Sequence, residues 1–97
     1  MAENYSARYV RMALKDIPDF EKACEAMGLN VKTASDADRI VRDLALIGQF
    51  GTLRLYKLYP HIVDEATFRM IADVGLKFYW MTLDYWESRR AQAKAGS

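Results

Sequence analysis

The chain has 97 residues, which suits one domain and leaves no room for two. Its apolar share is 52% and its charged share 28%, a globular balance that excludes a disordered chain. The formal net charge is +1, so no long-range field steers it onto nucleic acid or an anionic membrane.

One cysteine, Cys24, excludes an internal disulfide and points weakly to a reducing compartment. The opening segment MAENYSARYVRMAL lacks an apolar run and carries Glu3, so it does not read as a secretory signal. No stretch reaches the ~18 uninterrupted apolar residues of a membrane span; in residues 74–83, Lys77 interrupts the nearest one. The expectation is a cytoplasmic, soluble protein with no membrane contact.

Residues 5–15 place Tyr9, Val10, Ala13 and Leu14 on one side, and Arg8, Arg11 and Lys15 recur at helical spacing. This predicts an amphipathic helix with Ser6 as its N-cap. A second helix is expected to start around Asp16-Ile17-Pro18, since proline suits a first turn. Phe20, Ala23, Cys24 and Met27 then share a face, and Gly28 ends the helix in the C′ role. Ser35 opens a third helix with Asp38 as an imperfect capping box. Its core stripe is Ala37, Ile40, Val41, Leu44 and Ile47, and Asp38 pairs with Arg42 at i,i+4.

Gly48 and Gly51 then interrupt the pattern, each costing about 1 kcal/mol relative to alanine inside a helix. Helix is expected on both sides of them, with Leu53, Tyr56 and Tyr59 on one side of the second piece; a strand over residues 52–59 is the alternative. Pro60 stops that piece. Asp64 caps a last helix that runs to about Arg90, and residues 91–97 read as a frayed tail. The fold class is therefore all-α: one domain over residues 1–97, a compact bundle of four or five helices with a long C-terminal helix.

That last helix carries two apolar stripes. Thr67, Ile71, Val74, Phe78, Met81 and Tyr85 trace one; Phe68, Ala72, Tyr79, Leu83 and Trp86 trace the other. Leu76 and Trp80 fall on the side that should be polar. About 27 residues of helix span roughly 40 Å, whereas a compact chain of this size is about 32 Å across. The second half should therefore outrun its own core. Leu76, Tyr79, Trp80, Asp84, Tyr85, Trp86 and Arg89 are the expected protein-binding residues, the tryptophans as anchors and Asp84 and Arg89 as a polar rim.

No catalytic pattern emerges. His61 has Asp64 and Glu65 close behind it, but a metal needs three or four ligands and no second histidine exists; a turn histidine bonding a helix end is the simpler reading. Cys24 sits on an apolar face, where cysteine behaves as a small hydrophobe. Gly48-Gln49-Phe50-Gly51 lacks the following Lys-Ser/Thr of a phosphate loop. Methionines and aromatics between helices suit an apolar ligand as well as a core, with no polar group to orient one. The expectation is a non-enzymatic module without cofactor or metal that binds another protein or itself, as adaptor, assembly subunit or inhibitor. The alternative is a small nucleic-acid-binding or regulatory protein using the basic faces Arg8/Arg11/Lys15 and Arg39/Arg42, although the apolar TLRLYKLY piece offers few base-reading groups.

Overall fold

A computed structural model describes residues 4–95, apart from the side chains of Trp86 and of residues 93–95. The described residues form five helices and no strand: α1 (Tyr5–Asp16), α2 (Phe20–Ala26), α3 (Ala34–Phe50), α4 (Thr52–Leu58) and α5 (Glu65–Ala95). The all-α bundle holds, and residues 52–58 are helix rather than strand.

The caps explain where each helix begins. Asn4, not Ser6, caps α1, its Oδ1 accepting the Ala7 amide at 2.8 Å. Pro18 forces Ile17 into extended backbone (φ −111°, ψ 113°), which ends α1 and delays α2 to Phe20. Asp19 absorbs the sharp turn in the left-handed region at φ 66°. Gly28 plays its expected part: at φ 80° it lets the Leu29 amide reach back to the Cys24 carbonyl at 2.9 Å. Thr33, not Ser35, caps α3, accepting the Asp36 amide at 3.1 Å. Asp64 caps α5 as expected, its carboxylate accepting the amide and the hydroxyl of Thr67 at 2.9 and 2.8 Å.

The core lies where α1, α2, α3 and α4 meet the first half of α5. Phe78 is its centre, stacked on Phe20 at 5.9 Å and edge-on to Tyr9 at 6.4 Å. Ile40, Leu44, Ile47, Leu55, Ile71 and Val74 surround this aromatic group, all buried. The face of α4 differs from expectation. Leu55 and Tyr59, four residues apart, turn inward, while Leu53 and Tyr56 stand 78% and 62% exposed. A spacing of three and three drifts around a helix, so 53, 56 and 59 do not all remain on the buried side.

Gly48 and Gly75 set how closely α3 and α5 approach. A Cβ added to Gly48 would lie 2.5 Å from the Tyr79 Cβ and closer still to the Gly75 carbonyl oxygen. One on Gly75 would lie 2.8 Å from Ile47 Cγ2. Gly48 therefore continues α3, and the break falls at Gly51 (φ 84°).

The C-terminal helix is longer than expected: its 31 residues continue through Ala95 instead of fraying from residue 91. At ~1.5 Å per residue it spans roughly 46 Å, close to the 50 Å long axis of a molecule only 28 × 21 Å in section. Beyond Tyr85 every described side chain, Glu87 to Gln92, is exposed.

Candidate protein-interaction surface

The side chains expected to form one binding patch separate onto different faces of α5. Leu76 and Trp80, one turn apart, point away from the bundle, 46% and 57% exposed, and Asp84 is exposed one turn further on. Tyr79 sits between these faces. It is half-buried, its Cβ close to Gly48, and its ring meets Trp80 edge-on at 5.9 Å.

Tyr85 belongs elsewhere, which corrects the expected patch. Nine residues after Leu76 at 100° each place it on the opposite side of the helix. It is half-buried with its ring edge-on to Tyr9 at 5.2 Å. Its hydroxyl accepts from Arg8 Nη1 at 2.7 Å and from Arg89 Nη1 at 3.1 Å. These two cations, Arg89 foremost, hold the phenol below its usual pKa. Tyr85 thus fastens α5 to α1, with Arg89 bonded to it from within α5, instead of extending the surface of Leu76 and Trp80. The side chain of Trp86 lies outside the described residues.

The structure adds a feature that the sequence reading missed. Beside Leu76 a groove opens between the α3–α4 junction and α5. Ile47, Gly48, Gly51 and Thr52 line one side, and Ala72, Asp73 and Leu76 the other. Phe50 and Leu53, flanking Gly51 and Thr52 in the chain, are 54% and 78% exposed. Gly51 helps to open this groove, since nothing stands within 4 Å of where its Cβ would be. The GQFG segment was its visible signal, legible only as a kink or as close packing of helix on helix, and Gly48 does pack closely against α5.

The basic faces are largely committed to partners within the chain. Arg8 donates to Tyr85. Arg39 and Arg42 both approach Asp43, at 3.4 and 3.5 Å, and Arg54 lies over the Phe50 ring at 5.1 Å. Asp43 is 2% exposed and also accepts from the Tyr59 hydroxyl at 2.5 Å. Burial first, then this carboxylate, pushes the Tyr59 phenol above its usual range.

His61 ties the α4–α5 turn to the end of α2: its Nε2 lies 3.1 Å from the Ala26 carbonyl oxygen, which can only accept, so the ring nitrogen donates. Among the described residues no group of three histidine, cysteine, aspartate or glutamate side chains is placed to hold a metal ion. Nor is any helix among them long and apolar enough to cross a membrane.

Cys24 is fully buried, and burial, with Glu21 and Glu25 adding, pushes its thiol up to about 12. The thiolate is the nucleophile, so the native protein should resist an aromatic disulfide reagent at pH 8 and react at once in denaturant. Rapid labelling of the native chain would contradict this placement. The same shift has a sign for stability. The folded-state value is raised, so the contribution is complete below the ordinary thiol value of ~8.5 and is lost as pH rises from there towards 12.

Comparison with protein-family models, curated proteins and solved structures finds no match.

Proposed function

We propose that this chain is a non-enzymatic protein-interaction module of the cytoplasm, an adaptor, assembly subunit or inhibitor, that binds through the outward face of α5. The observation that carries this reading is Trp80, a tryptophan 57% exposed beside exposed Leu76 and an apolar groove. Isolated exposed hydrophobics are ordinary; a tryptophan, a leucine and a groove together mark a contact surface. Tryptophan also anchors interfaces out of proportion to its frequency. The nucleic-acid alternative draws no comparable support, because Arg8, Arg39 and Arg42 each have a partner within the chain.

The test compares the wild-type chain with Trp80→Ala and Leu76→Asp as baits in an extract of the native host, followed by titration of any captured protein against the purified chain. The expected result is a direct binder whose affinity falls at least tenfold with Trp80→Ala, a loss of about 1.4 kcal/mol or more. Equal binding by all three baits would overturn it.

A further inference from the structure

The outward face of α5 is self-complementary, and we infer that its partner is a second copy of this chain packed antiparallel about a two-fold axis at the level of Phe78; this rests on the interaction surface proposed above. A two-fold interface brings residue i of one copy to residue j of the other and j to i. Leu76 and Trp80 are equidistant from Phe78 and exposed on one face. An axis at Phe78 therefore sets each Trp80 against Leu76 of the other copy. The ring then meets the groove that Gly48, Gly51 and Ala72 line beside Leu76.

The charges follow the same symmetry. Arg69 and Glu87 lie nine residues on either side of Phe78, and both are exposed. At 100° per residue each falls within about 20° of Leu76 around the helix. The axis that pairs Leu76 with Trp80 thus pairs Arg69 of one copy with Glu87 of the other, twice. Glu65 comes within one residue of the level of Arg90, again acid against base and both exposed. On one flank Asp73 comes within one residue of the level of Asp84 of the second copy, acid near acid, and Lys77 lies 3.1 Å from Asp73. A parallel arrangement would instead set Arg69 against Arg69 and Glu87 against Glu87.

The length of α5 agrees with this arrangement. Past Tyr85 the helix leaves its own bundle, with residues 87–92 exposed. In the antiparallel pair that projecting segment lies along residues 64–69 of the other copy, where Glu65 and Arg69, paired with each other at 2.7 Å, are still 77% and 78% exposed at their side chains. Each copy covers what the other leaves open.

Sedimentation velocity on the full chain over a thousandfold range of concentration, with circular dichroism of each variant as a check on folding, tests the inference. The wild type should sediment as a reversible dimer. Arg69→Glu and Glu87→Arg, each placing like charges face to face, should each raise the dissociation constant about tenfold. The double variant Arg69→Glu/Glu87→Arg should recover most of the loss, because the reversed pair again attracts. A strict monomer at the highest concentration overturns self-pairing while leaving the bait comparison to decide the broader reading. A dimer that the double variant weakens as much as the two single changes together overturns the antiparallel register.

Discussion

Asp43→Ala is expected to remove about 3 kcal/mol of stability, a fall of roughly 15 °C in Tm for a domain of this size. Asp43 is 2% exposed, and its carboxylate accepts the Tyr59 hydroxyl and faces both Arg39 and Arg42. Alanine would leave the Tyr59 hydroxyl inside the protein without this acceptor. The loss then includes a desolvated donor as well as a missing attraction. Tyr59→Phe should cost less, about 1.5 kcal/mol, because the carboxylate retains two guanidinium groups and no donor is orphaned. Denaturant unfolding of the two variants measures the order. If Tyr59→Phe proves the more damaging, the carboxylate is not the organising group.

Gly48→Ala should lose about 2–3 kcal/mol. Its sign is diagnostic. At an open position in a helix the same change gains roughly 1 kcal/mol through helix propensity. At Gly48 the new methyl would meet the Gly75 carbonyl and the Tyr79 Cβ, both fixed to the backbone of α5. The helices must then move apart, and the packing of Ile47, Val74 and Phe78 moves with them. Gly75→Ala should cost less, since its nearest neighbour is a side-chain methyl, Ile47 Cγ2. The two changes act on one crossing and will not add. Thermal melts of both single variants and the double check this. A stabilised Gly48→Ala would mean that the helices do not cross there.

Much of this fold was legible because its signals are local. Asp64 before an apolar run, Gly28 after one and Pro60 inside a break each act within a few residues, and each did what its chemistry predicts. Two caps were misplaced for a plain reason: Asn4 and Ser6, or Thr33 and Ser35, are equally competent acceptors, and only the tertiary path of the chain chooses. The inward face of α4 was misread because a seven-residue helix gives too few positions to fix its phase. Asp43 was passed over because an acid beside the stripe of Ile40, Leu44 and Ile47 looks like a solvent-facing neighbour. Its burial depends on Tyr59, sixteen positions away.

The proposed interaction surface was half legible. Leu76 and Trp80 stood out as apolar residues on a face that should be polar, and the structure leaves both exposed. Tyr85 was grouped with them by proximity in sequence, although helical geometry alone sets it opposite Leu76. The groove could not be read in advance, because it forms where the end of α3 and the junction residue Gly51 meet residues of α5 more than twenty positions later.

Phe78 is buried at the centre of the core, whereas Trp80, two residues on, stands 57% exposed on the outer face. Unfolding by denaturant at high dilution, followed by circular dichroism, compares Phe78→Ala with Trp80→Ala in the monomer. Phe78→Ala should lose about 3–5 kcal/mol, the usual result for a buried aromatic ring. Trp80→Ala should stay within about 0.5 kcal/mol of the wild type, as surface changes do. A loss at Trp80 approaching that at Phe78 would place the tryptophan in the core and contradict the surface on which the proposed function rests.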